Sequence, residues 1–158
     1  MGRKAFIITG LTLFAFYIIQ DIFGLKLESL ESLQQDQMYR RWSGLGLSLV
    51  ILFQWSLSLV RTKPKWEELS LKFYNIHNWV GAFTPLLFYL HSTKLGFAYL
   101  FVLSITFFFN FLLGTLNLDV LKSKSQIVFQ GWMILHVAAS FFITFLTIYH
   151  IWVVFYYE

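Results

Sequence analysis

The chain contains no cysteine, only two prolines, and few charges: 13% of its 158 residues, against about 25% in ordinary soluble domains. Without cysteine there are no disulfides, no iron–sulfur clusters and no thiolate metal sites, and no prosthetic group can be attached through a C-x-x-C-H motif. What replaces the charge is apolar and aromatic. Hydrophobic residues make up 58% of the chain and aromatics 21%, with nineteen Phe and six Trp, and the mean hydropathy is +0.64. This composition points to an integral membrane protein, since aromatic rings fill lipid-facing surfaces and interfacial belts. The net charge of +4 does not indicate nucleic acid, because the basic residues are scattered at the ends of apolar runs, where membrane topology accounts for them.

Five hydrophobic stretches are long enough to cross a hydrocarbon core of about 30 Å as helices: 5–23, 43–61, 74–93, 96–118 and 127–156. The apolar runs are continuous and much longer than barrel strands, so the expected fold is an all-α membrane domain over 1–158, with five transmembrane helices in a four-helix-type, cofactor-binding bundle. The first stretch follows Arg3 and Lys4 like a signal sequence. It runs on to Ile19 with no small-residue cleavage site after it, so it reads as a retained span. Arg3, Lys4, Arg61, Lys63, Lys65, Lys72, Lys122 and Lys124 fall on one side of such a chain. Lys26, Arg40, Arg41 and Lys94 fall on the other. The positive-inside rule then places the N-terminus inside and the C-terminus outside, and the third and fifth helices run parallel.

Between spans one and two, Leu27, Leu30 and Leu33 recur among Glu28, Glu31 and Asp36, which predicts a short amphipathic surface helix. It would cover its own bundle or dock a partner. The connection over 62–75 holds Pro64, Trp66 and several lysines, which fit topology determinants or contacts to an acidic group. Trp66 and Trp79 suit the membrane interface. Small residues of the second span (Gly44, Gly46, Ser48, Ser56, Ser58) favour close helix packing, and Asn110 and Gln54 suit interhelical hydrogen bonds or a quinone contact. Pro85 predicts a kink in the third span.

The four histidines are the most informative residues. They form two pairs, His77 with His91 and His136 with His150, each separated by thirteen residues and each inside an apolar span. Fourteen helical steps of about 100° end about 40° short of four turns, so both histidines of a pair leave one face, roughly 21 Å apart along the axis. A histidine inside a span is costly and marks a functional site by default. On parallel helices the four make two facing pairs, His77 with His136 and His91 with His150. Structural zinc needs four N or S ligands and catalytic zinc three, whereas each layer offers two imidazoles and no span has an Asp or Glu in its apolar core. Haem needs two axial nitrogens and brings four of its own. The expected cofactors are therefore two non-covalent haems b, with quinone a further option. A transporter or proton pump would place ionisable residues along its path, and the span cores have no Lys, Arg, Asp or Glu. Gly81 and Ser140, one turn after the first histidine of each pair, would clear space for a macrocycle or simply pack helices. Arg40, Arg41 and Lys94 are candidate partners for the outer propionates.

The segments Ile76-His77-Asn78-Trp79-Val80-Gly81 and Trp132-x3-His136, with His-x13-His on two helices, resemble the di-haem cytochromes b, above all the ferric reductase/NADPH oxidase transmembrane domain. Gly114-Thr115 through Lys124 to Trp132 is similar to that domain's connection between its fourth and fifth helices, and the likeness spans about 43–156. The resemblance implies haem ligands on helices three and five. Those reductases continue into a sixth helix and a flavin and nicotinamide domain. A chain ending after its fifth helix is expected to take electrons from other redox subunits or a quinol, as in the small bis-haem cytochromes of bacterial electron-transfer operons. The expectation is transmembrane electron transfer as an oxidoreductase subunit in the bacterial inner membrane. The alternatives are a terminal ferric or oxygen reductase acting at the outer haem, and a non-redox structural subunit.

Overall fold

The structure is a computed structural model that describes residues 4–25, 27–116 and 125–157. The expectations resting on Arg3, Lys26, Lys122 and Lys124, on the end of span 96–118, and on most of the connection toward Trp132 lie outside the described residues. Among the described residues all regular structure is helical. The chain forms two compact units, Met1–Thr93 and Lys94–Glu158.

In the first unit, helix α1 (Lys4–Phe23) is followed by α2 (Glu28–Gln35), α3 (Gln37–Gln54), α4 (Ser56–Arg61), one 3₁₀ turn (Pro64–Trp66) and α5 (Glu67–His91). Asp36 separates α2 from α3. Its backbone is extended, and its carboxylate accepts from Tyr39 N at 2.8 Å, capping the new helix. The amphipathic helix predicted for this loop is α2, and of its three leucines only Leu30 is buried: Leu30 is 7% exposed, but Leu27 and Leu33 are 59% and 49% exposed. The span expected at 43–61 falls within the apolar helical stretch Gln37–Arg61, in which a turn at Trp55 separates α3 from α4. α5 begins seven residues ahead of the expected 74–93, because Glu67 and Glu68 form its first turn, where carboxylates favour the positive end of the helix dipole.

Helix α5 is the element against which α1, α3 and α4 pack. Its helical backbone continues through Pro85, which is almost fully buried. Proline has no N–H for the carbonyl of residue 81. The Thr84 hydroxyl takes that place, donating to Gly81 O at 2.7 Å. Trp79 lies edge-on to Phe6 of α1, at a ring separation of 6.3 Å, so it serves the α1–α5 packing.

In the second unit α6 (Tyr99–Thr115) packs against α7 (Gln126–Tyr157). Among the described residues, three helical stretches are long and apolar enough to cross a membrane: Lys4–Phe23, Gln37–Arg61 and Gln126–Tyr157. α6 is apolar but only 17 residues long. α5 has the length, but not the apolar content, because Asn75, His77, Asn78 and His91 sit within its otherwise hydrophobic part. The polar residues that dilute it include two of the candidate ligands.

Candidate functional site

His77 and His91 lie on one uninterrupted helix, α5, and His136 and His150 on another, α7. Each pair is therefore separated by roughly 21 Å of helical rise. The histidine face is the buried face in both cases. On α5 it carries Thr84 and Phe88, both buried. On α7 it carries Ala139, Ile143 and Thr147, also buried, whereas Ile134, Phe141 and Phe145 point outward.

The His77 imidazole is held by the end of α3. Its Nδ1 lies 3.3 Å from the Gln54 main-chain oxygen, and the Gln54 side chain returns a bond from Nε2 to His77 O at 3.2 Å. Gln54 is the last residue of α3, and carbonyls at a helix end need partners from outside the helix. A carbonyl can only accept, so Nδ1 carries the proton, and in a neutral ring Nε2 then carries the lone pair. The interruption at Trp55 thus fixes the tautomer of His77.

His91 is fixed similarly by the first turns of α3. Ser43 Oγ is 3.2 Å from His91 Nδ1 and 3.3 Å from Arg40 O. Between Oγ and Nδ1, which atom donates follows the tautomer of the ring. The ring also lies against Gly44, where a Cβ would stand 2.8 Å from Cε1. The end of α5 beyond it is tied down by α1, α2 and α3. Gln34 Nε2 donates to Tyr89 O and Leu90 O at 2.9 and 3.1 Å, and Tyr39 Oη donates to Leu90 O at 3.0 Å. Thr93 Oγ1 donates to Gln34 Oε1, and Gln20 Nε2 to Thr93 O.

In the second unit, His136 stacks on Trp132, with ring planes 3° apart and centroids 5.8 Å apart. Trp132 is itself anchored through Nε1 to Leu113 O at 2.8 Å. Gly114 gives room for the ring, since a Cβ there would approach Cε1 to 3.3 Å. His150 Nδ1 is 3.3 Å from the Tyr99 hydroxyl, and Tyr99 packs edge-on against Tyr149 at 5.2 Å.

The remaining candidates have identifiable neighbours. The Gln54 amide lies in front of Gly81, 3.3 Å from where a Cβ would be, so that glycine admits a side chain from α3. Ser140 accepts from Asn110 Nδ2 at 2.9 Å and donates to His136 O, which makes it an α6–α7 link. Arg40 and Arg41 occupy the same turn of α3 as Ser43, and Lys94 follows α5 by three residues. Lys63 sits over Trp66 and Arg61 over Tyr74, so these two cations engage rings of their own unit.

Neither unit brings two histidines together, and among the described residues no group of three or more His, Cys, Asp or Glu could hold a metal ion. What the arrangement offers is single imidazoles on the buried faces of their helices, which suits a group that brings most of its own ligands. No protein-family model, curated protein or solved structure matches the chain.

Proposed function

We propose that the chain is an electron-conducting membrane subunit carrying two haems b without covalent attachment, one between His77 and His136 and one between His91 and His150. The observation that carries this reading is the way His77 and His91 are held. Both sit on the buried face of one helix with Nδ1 held against an oxygen, the Gln54 carbonyl for His77 and the Ser43 hydroxyl for His91, and at His77 this commits Nδ1–H and leaves the lone pair on Nε2. An outer acceptor on the far ring nitrogen is the usual signature of an imidazole that ligates a metal, because it fixes the tautomer and the ring orientation. The matched thirteen-residue spacing on α7 supplies the partners at equal axial separation.

Bound haem iron supplies one-electron exchange. The residues of the chain do the rest. His77, His136, His91 and His150 would hold the two groups, two imidazoles to each, which favours a conduit over a site that binds a substrate at iron. Buried apolar faces would keep water away, and Arg40, Arg41 and Lys94 would meet the propionates at the His91 end. Electrons would pass between a quinol or redox subunit on one side and a partner on the other, in a bacterial inner membrane with the N-terminus inside. This arrangement would resemble that of the ferric reductase/NADPH oxidase transmembrane domain. The test is a reduced-minus-oxidised optical spectrum of the purified chain with a haem assay. Two haems per chain with b-type bands are expected, and a chain without such bands ends the proposal.

A further inference from the structure

We propose that α2 lies in the headgroup region of the bilayer, with Leu27 and Leu33 against lipid rather than against a protein partner. The inference draws on the first unit alone and is independent of the two-haem reading.

Chain connectivity keeps α2 at the membrane boundary. The helical stretches on either side of it, Lys4–Phe23 and Gln37–Arg61, are both long and apolar enough to cross a bilayer. Residues 24–27 join α1 to α2, and Asp36 alone stands between α2 and α3. The first junction is a tight reversal. Gly24 has φ +62°, and Leu25 N–H donates to Gln20 O at 3.0 Å, which closes α1 in a left-handed turn. The Gln34 amide also ties α2 to the last turn of α5, at Tyr89 O and Leu90 O. A helix of 8 residues held in this way sits where the spans emerge.

The side chains of α2 are sorted to match that position. Leu27, Leu30 and Leu33 are three residues apart, so they spread over about 120° of the helix circumference, with Leu30 at the centre. Leu30 is buried in its own unit, whereas Leu27 and Leu33 overhang it on either side and are exposed. Glu28, Ser32 and Gln35 fall on the opposite side, also exposed. The apolar sector continues into the neighbouring helices: Phe23 at the end of α1 and Met38 and Trp42 at the start of α3 are exposed as well. Trp42 suits headgroup level, where one edge of the ring is apolar and its N–H is wet. An apolar sector that runs into the outward surfaces of two spans, beneath a polar one, fits a helix seated about 5–10 Å into the headgroup and acyl boundary. That continuity favours lipid as the occupant, because lipid covers all of these side chains at once.

The chain has no cysteine, so single cysteines can be introduced without removing any. The experiment labels Leu27→Cys, Leu33→Cys, Ser32→Cys and Gln35→Cys with a nitroxide, in the full chain reconstituted into phosphatidylcholine–phosphatidylglycerol vesicles. Phe16→Cys, midway along α1, serves as the lipid reference. All five positions are exposed, so the substitutions leave the packing in place. Collision with oxygen, which partitions into the bilayer, is compared with collision with a water-soluble nickel chelate. We expect the oxygen-to-nickel ratio at positions 27 and 33 to exceed that at 32 and 35 several-fold and to approach the Phe16→Cys value. The proposal is overturned if either leucine position matches 32 and 35 in favouring nickel, because α2 then stands in water. It is equally overturned if either is shielded from both reagents, because protein then covers it. A chain without haem leaves the expectation unchanged, so failure here and failure of the two-haem reading are separate results.

Discussion

The imidazole of His91 rests directly on Gly44, one helix away, so closely that a methyl group at position 44 would meet Cε1 at 2.8 Å. Glycine inside a helix costs about 1 kcal/mol relative to alanine. Gly44→Ala should therefore leave α3 at least as stable. The atom it displaces is the far end of a side chain that can swing aside, so the fold survives while the ring leaves its position. The expected outcome is a folded protein with about half the haem per chain, or with one weakened site, set by the axial geometry that a ligand demands. Haem content and thermal midpoint, measured on the same sample, separate the two effects. An alanine variant with full haem and an unchanged spectrum would mean that the seat is immaterial.

The end of α5 is fixed by side chains from elsewhere, chiefly Gln34. Its amide donates to the Tyr89 and Leu90 carbonyls, two of the helix-end acceptors that have no partner inside the helix. At about 1 kcal/mol per bond, Gln34→Ala should destabilise the first unit by roughly 1–3 kcal/mol. Gln34→Glu should be worse than alanine, because a carboxylate cannot donate and would face two carbonyl oxygens. Thermal unfolding in detergent ranks the three proteins. A glutamate variant as stable as the parent would contradict the assigned donor direction.

The parts of this arrangement that could be read in the sequence share one property: they depend on periodicity within a single helix. The pairing of His77 with His91 and of His136 with His150, the buried faces between them and the extent of α7 all follow from regular spacing in unbroken apolar runs. The start of α5 was hidden because Glu67, Glu68 and Lys72 look like a loop, although they form helix beyond the apolar part. The break at Trp55 was hidden because Gln54 and Ser56 interrupt an apolar run no more than other small polar residues do. The groups that hold the imidazoles were hidden by distance along the chain. Ser43 and Tyr99 lie 48 and 51 residues from the histidines they touch. Gly44 looked like a general packing residue, and only its neighbour distinguishes it from Gly46.

Thr84 carries the hydrogen bond that Pro85 cannot make. Thr84→Val preserves shape and removes the hydroxyl, leaving the Gly81 carbonyl without its donor from α5. That should cost about 1–3 kcal/mol. Pro85→Ala restores a main-chain N–H at the right register, so in the Thr84→Val background it should recover part of the loss. Added to the parent, the same change has less to satisfy. The difference between the two effects is a coupling energy readable from a double-mutant cycle of unfolding midpoints. Additive effects would show that the hydroxyl and the proline act independently.

Substituting the histidines singly and in pairs tests the assignment of ligands to layers. If His91 and His150 clamp one haem, His91→Ala and His150→Ala should each remove that haem, and the double variant should lose no more than either single one. Such non-additivity is expected of residues that act as a unit. His77→Ala with His136→Ala should behave the same way on the other haem. The crossed combination, His91→Ala with His136→Ala, should remove both. Haem-to-protein ratios of roughly two, one, one and zero, for parent, single, same-layer double and crossed double, follow from two axial nitrogens per macrocycle. A crossed double that keeps one haem, or a same-layer double that keeps none, would require the four imidazoles to be paired differently.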